Sequence, residues 1–138
     1  MGHLRVLIVE DEVLLALNAA DIIKDAGHAV VGTAQEKASA FELAAGMSPN
    51  LALVDLNLQD GLTGPEIGVT LATRHQIPVL FVTGHVALAP LSYPGIIGVI
   101  SKPYSAERLT DALSFIATHT AMEWESAPRS LWTSHFNQ

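Results

Sequence analysis

The chain has 138 residues, of which 49% are apolar and 15% charged, with a net charge of −7 and no cysteine. That length suits one domain with its own core, and that hydrophobicity excludes a disordered chain. The acidic balance argues against direct binding of nucleic acid, the lack of cysteine excludes disulfides and suits a reducing compartment, and no apolar run reaches the ~20 residues of a membrane span.

Met1 to Arg5 leads directly into a strand-like run without the apolar stretch of a signal peptide, so the expected location is the cytoplasm. Leu4 to Val9 is a short β-branched apolar run, the pattern of a strand buried on both faces, and it ends at Glu10, Asp11 and Glu12. From Val13 to Ala26 the period becomes helical, with Leu15, Ala19, Ile22, Ile23 and Ala26 on the apolar stripe and Gly27 as its stop. Ala29 to Ala34 predicts a second strand, and Ala-rich Glu36 to Ala45 a second helix closed by Gly46. Leu51 to Val54 predicts a third strand, ending at Asp55. A loop with Asn57, Asp60, Gly61 and Gly64 follows, and Pro65 then opens a helix that runs from Glu66 to His75.

Pro78 to Val82 predicts a fourth strand ending in Thr83-Gly84, and Ile96 to Ile100 a fifth ending in Ser101-Lys102-Pro103. Between them two prolines and extra glycines leave room for little more than one helical turn, so the fourth helix is expected to be short or absent. Ser105 is placed to cap a last helix with Leu109, Ala112, Leu113 and Ile116 inward. The predicted domain spans residues 1–118, and 119–138 form a C-terminal tail with no second domain. The tail has no sustained period and reads either as a mobile terminus or, as Trp124, Trp132 and Phe136 favour, as a segment packed on the domain or on a second subunit.

Five strands alternating with helices imply an α/β, doubly wound parallel sheet covered on both faces. Ligands of such sheets bind beyond the carboxyl ends of the strands. The residues there are Glu10, Asp11, Asp55, Thr83 and Lys102. Clustered carboxylates repel one another, and Mg²⁺, a hard ion that prefers oxygen ligands, offsets that repulsion. Asp11 and Asp55 could ligate it directly and Glu10 through water, with a backbone carbonyl near Asn57 as a further ligand. An aspartate can also act as nucleophile and form an acyl phosphate. Lys102 and the Thr83 hydroxyl would then meet the phosphoryl oxygens. The Lys102-Pro103 step invites a cis peptide that aims the lysine inward. Each residue alone has a plainer reading, Asp11 as a helix cap, Asp55 as a turn residue, Lys102 as a surface lysine. The set, delivered to one edge with complementary charges, is what points to chemistry. The six histidines are scattered and make no metal site.

From Leu4 to about Thr118 the chain resembles the receiver domain of bacterial two-component response regulators. The matching segments are Val-Leu-Ile-Val-Glu-Asp-Glu (6–12), Leu-Val-Asp-Leu-Asn-Leu (53–58) with Gly61 and Gly64, Val-Leu-Phe-Val-Thr-Gly (79–84) and Ser-Lys-Pro-Tyr (101–104). The resemblance implies a flavodoxin-like sheet of strand order 2-1-3-4-5, Asp55 as phosphoacceptor, and Mg²⁺ held by Glu10, Asp11, Asp55 and the Asn57 carbonyl. It also implies Thr83 as switch hydroxyl and Lys102 as the phosphate-pairing lysine. Two departures stand out. Val99 occupies the position where the family usually has an aromatic switch residue, and the segment from Thr83 to Lys102 is short. Both, with Phe81-Val82-Thr83-Gly84, resemble a subclass with a Phe-Ala-Thr-Gly-type motif that works with HWE-type histidine kinases.

The implied function is a single-domain response regulator that takes a phosphoryl group from a histidine kinase. Its output would be contact with an unknown downstream protein or phosphorelay, as a monomer or weak homodimer, without membrane or nucleic acid. It is a signalling phosphoacceptor rather than an enzyme. One rival is a phosphorylation-independent pseudo-receiver, which Val99 leaves open. Another is an aspartate-nucleophile phosphohydrolase of the haloacid-dehalogenase type, which needs an acid where this chain has Asn57. No Gly-x-Gly-x-x-Gly follows the first strand, which speaks against a dinucleotide site.

Overall fold

The computed structural model describes residues 2–126. Five strands, β1 (Arg5–Val9), β2 (Ala29–Ala34), β3 (Leu51–Asp55), β4 (Val79–Thr83) and β5 (Ile96–Ser101), form one parallel sheet in the order β2-β1-β3-β4-β5. The connections carry α1 (Val13–Asp25), α2 (Lys37–Met47) and α3 (Gly64–Thr73). After β5 come α4 (Ala106–Thr118) and a short α5 (Ala121–Ser126). Between β4 and β5 there is only a 3-10 turn, Val86–Leu88, so the expected shortening of that connection is met.

β3 and β4 are buried at every position, as the unbroken apolar runs require. Their alternating side chains divide the interior in two. Ile8, Leu53, Leu80, Val82 and Ile100 pack with α1 and α4; Leu7, Val54, Phe81 and Val99 pack with α2 and α3.

Local chemistry sets the helix ends. Gly27 holds φ +93 after α1, its N–H donates to the Lys24 carbonyl, and that of His28 donates to the Ile23 carbonyl. Together these two bonds satisfy carbonyls that the last turn would leave open. Ser105 caps α4 by accepting from the Arg108 N–H at 3.1 Å. Two boundaries differ from the sequence reading. Gly46 lies inside α2, whose stop is Ser48 in the left-handed region just before Pro49. The Arg5 guanidinium donates to the Met47 and Ser48 carbonyls at 2.6 and 3.3 Å and so closes that end. α3 begins at Gly64 and stops at Thr73 rather than His75, because Gln76 turns back at φ +56. Leu15 also departs from its expected place in the core: it is 37% exposed, and Ala16 and Ala20 take the inward positions of that helix.

The region after Thr118 is not wholly irregular. α5 folds under the sheet and inserts Trp124 into the α1–α4 side, where its indole N–H donates to the Ile116 carbonyl at 3.2 Å. Thr120 and Glu123 fasten the start of α5. Glu123 accepts from the Thr120 N–H at 2.7 Å, and the Thr120 hydroxyl accepts from the Glu123 N–H at 3.3 Å. Trp132 and Phe136 lie outside the described residues. Trp124→Ala should cost about 2 kcal/mol in urea unfolding. That is less than the ~3–5 kcal/mol of a central tryptophan, because α5 can detach as a unit and limit the loss. An unchanged unfolding midpoint would mean that α5 contributes nothing to the core.

Candidate functional site

The order of the strands reverses direction at β1, which leads to β2 on one side and has β3 on the other. The carboxyl ends of these two strands flank the topological switch point, where such sheets bind ligands. Glu10 and Asp11 follow β1 and Asp55 ends β3, so the sheet brings all three acids to that point. By the pleat, Asp55 shares the face of Leu53, Glu10 that of Ile8, and Lys102 that of Ile100, all toward α1 and α4. Thr83 follows the parity of Phe81 and belongs to the α2–α3 face.

Lys102 ties the site together. Its ammonium donates to Glu10 Oε1 at 2.8 Å and to Asp55 Oδ2 at 3.0 Å. Glu10 is the nearer of the two partners, a contact the sequence did not reveal. Glu10 and Asp55 are each 7% exposed. Backbone donors complete the set: the Glu12 N–H reaches Glu10 Oε2 at 3.1 Å and the Asn57 N–H reaches Asp55 Oδ1 at 3.3 Å. The Thr83 hydroxyl, fully buried, accepts from the His85 N–H at 2.9 Å. The Lys102–Pro103 peptide is cis. Val99, expected among the switch residues, is fully buried next to Phe81, on the face away from the acids.

Carboxylate oxygens of Glu10, Asp11 and Asp55 lie within 4.8 Å of one another. Three carboxylates against one ammonium leave an excess of negative charge, and every donor is a hard oxygen, the set a small divalent cation takes. The plainer reading of Asp11 loses ground, since the N-cap of α1 is Glu12 and it makes no side-chain capping bond.

Burial drives the Glu10 carboxyl above its ordinary value of 4.5, and the contacts with Lys102 and the Glu12 N–H offset this only in part. Lys102 is also raised from 10.5: burial opposes its charge, but the hydrogen bonds to Glu10 and Asp55 prevail. Burial raises the Tyr104 phenol as well. A carboxyl raised in the folded state binds more protons there than when unfolded. Stability therefore falls as pH rises from 4.5 through the folded value. In metal-free buffer, Glu10→Gln should remove that fall, which a urea series from pH 4 to 8 would read. A fall of the same size in the variant would refute the assignment to Glu10.

Sequence reasoning missed two neighbours of the site, Leu15 and Tyr104. Both line a small cavity beneath Glu10 and Asp55. A signal was available in the helical spacing, where Leu15 stood on the stripe but one turn from the acids.

A family model, the response regulator receiver domain, matches residues 6–114. The chain is similar to the phyllosphere-induced regulator PhyR of Methylorubrum extorquens, 33% identical over 82 residues, which is 59% of this chain and 31% of that protein. It is also similar to the transcriptional regulatory protein PdtaR of Mycobacterium tuberculosis, 27% identical over 91% of this chain and 64% of the relative. The chain thus spans less than two thirds of either relative. Among solved structures, the receiver domain of PhyR from Erythrobacter litoralis matches with TM-score 0.74 and 27% identity, covering 93% of this chain and 96% of that one. PhyR from Brucella abortus matches with TM-score 0.68 and 29% identity over 80% of this chain and 46% of that one.

Proposed function

We propose, from the premise that this chain belongs to the response regulator receiver domain family, that it is a phosphoacceptor switch whose Asp55 takes a phosphoryl group from a histidine kinase. The observation that carries the reading is the Lys102 ammonium between Glu10 and Asp55, with Asp11 beside them, at the switch point of the sheet. Glu10, Asp11, Asp55 and the Asn57 carbonyl would hold Mg²⁺, which when bound supplies positive charge for phosphoryl oxygens. An Asp55 oxygen attacks the phosphorus of a phosphohistidine. The new O–P bond forms as the P–N bond breaks, and the electron pair stays on the imidazole. Lys102 then exchanges a carboxylate partner for a phosphoryl oxygen, and the Thr83 hydroxyl donates to another.

An apolar rim supports a protein as the donor. Val13, Leu14 and Leu17 of α1 stand exposed next to the acids, Leu14 at 80%, and Leu62 and Leu88 are exposed on the neighbouring loops. A partner helix carrying the phosphohistidine would cover them. The narrower assignment, an HWE-type kinase, rests on the motif Phe81-Val82-Thr83-Gly84 and the short connection after it.

The test is incubation with acetyl phosphate and Mg²⁺, read by intact mass and peptide mapping. One phosphate is expected on wild type at Asp55 and none on Asp55→Asn. A label that persists in the variant moves the chemistry elsewhere. A chain that never labels, with acetyl phosphate or any kinase, is better read as a phosphorylation-independent interaction module.

A further inference from the structure

The interior beside the acids is not solidly filled. A cavity of about 10 Å³, the room of one water, lies under the carboxylates and is lined by Glu10, Asp55, Leu53, Val82, Leu15 and Tyr104 among others. A separate open cleft of about 290 Å³ between α1 and the segment after β5 is lined by Leu15, Asn18, Lys102, Pro103 and Tyr104. Leu15 and Tyr104 line both, so these two side chains stand where the small space beside Asp55 meets the open cleft. Each is only partly buried, Leu15 at 37% exposure, as expected of residues that face a core on one side and a cleft on the other.

An acyl phosphate has two electrophilic centres, phosphorus and the acyl carbon. Attack at phosphorus returns the carboxylate and is the breakdown a signalling phosphate needs. Attack at carbon by an amine forms a C–N bond, breaks the bond from carbon to the bridging oxygen and expels inorganic phosphate with the electron pair; the nitrogen's proton passes to solvent. The side chain is then lost as a phosphoacceptor. A carboxylate with a water-sized space behind it needs that space closed.

We propose that Leu15 and Tyr104 form a rear gate that shields the acyl carbon of phosphorylated Asp55, so that the acyl phosphate breaks at phosphorus alone. This rests on Asp55 being the phosphoacceptor. The ring of Tyr104 provides the shield. Its hydroxyl is not required.

Hydroxylamine, a small nucleophile that attacks acyl carbon, tests the gate. Protein phosphorylated with acetyl phosphate and Mg²⁺ is freed of the donor and exposed to hydroxylamine at neutral pH, and Asp55 hydroxamate is quantified by peptide mass. Wild type and Tyr104→Phe should lose phosphate mainly to the free carboxylate. Leu15→Ala and Tyr104→Ala should form hydroxamate on the order of tenfold faster, a change corresponding to about 1.4 kcal/mol of barrier. All four should react alike in urea, where no gate exists. Leu15→Ala is the safer variant for folding because its side chain is partly exposed. Hydroxamate forming as fast in native wild type as in Leu15→Ala overturns the gate while leaving the phosphoacceptor intact. Loss of protection in Tyr104→Phe equal to that in Tyr104→Ala overturns the role given to the ring. Failure of wild type to take up phosphate removes both readings together.

Discussion

Gly64→Ala should destabilise the fold by about 3 kcal/mol and lower the melting temperature on the order of 10 °C. A Cβ at Gly64 would stand 2.1 Å from the Asp55 carbonyl oxygen, 2.3 Å from Leu56 Cα and 2.6 Å from the Leu56 carbonyl oxygen. All three obstacles are backbone, so no rotamer change relieves them. The start of α3 must move away from the end of β3, and the Gly64 N–H to Leu56 carbonyl hydrogen bond of 3.0 Å goes with it. Because Asp55 is one of the displaced residues, phosphate uptake should fall along with stability. Gly46→Ala is the control: its Cβ meets nothing within 4 Å and lies inside α2, so alanine should stabilise by a few tenths up to about 1 kcal/mol. Equal unfolding midpoints for the two variants in urea would contradict this account.

The second large effect is expected at Lys102. Lys102→Ala leaves Glu10 and Asp55, both nearly buried, facing each other without the ammonium between them. Removing one partner of a buried ion pair costs about 3–5 kcal/mol. The Lys102 side chain is 21% exposed, so the lower end, about 3 kcal/mol near neutral pH, is the expected loss. The sign of its pH dependence follows from linkage. With the cation gone, the Glu10 carboxyl, already raised by burial, holds its proton more tightly in the folded state than in the unfolded chain. The deficit should therefore shrink as pH falls toward 4.5 and grow again above it. Mg²⁺ at millimolar concentration should stabilise this variant more than wild type, since it supplies the missing positive charge. Unfolding curves in urea, with Mg²⁺ and without, read both effects. A variant as stable as wild type at neutral pH without metal would show that Lys102 does not offset the acids.

Much of this was legible in the sequence because the strands are fully buried. A parallel strand covered on both faces needs an unbroken apolar run, and such a run makes the first functional residue after it conspicuous: Glu10 after Val9, Asp55 after Val54, Thr83 after Val82. The near-absent helix before β5 follows from Pro90 and Pro94, whereas the strand order was implied by the family resemblance and not by the apolar pattern. What stayed hidden has physical causes. α5 has six residues, too few for a period to register, and among its described side chains Trp124 is the buried one. Leu15 fits the apolar stripe of α1 but looks onto a cleft, which no spacing rule distinguishes from a core position. The stop at Ser48 rather than Gly46 reflects the Arg5 contacts, forty-odd positions away in the chain.

The pleat of the strands has one more implication. Asp55 and Lys102 belong to the α1–α4 half of the interior and Thr83 to the α2–α3 half. An anion held by the lysine and the threonine together would act as a rivet through the sheet's edge. The two halves could then no longer loosen independently, so hydrogen exchange should slow in both at once even though only one of them houses the aspartate.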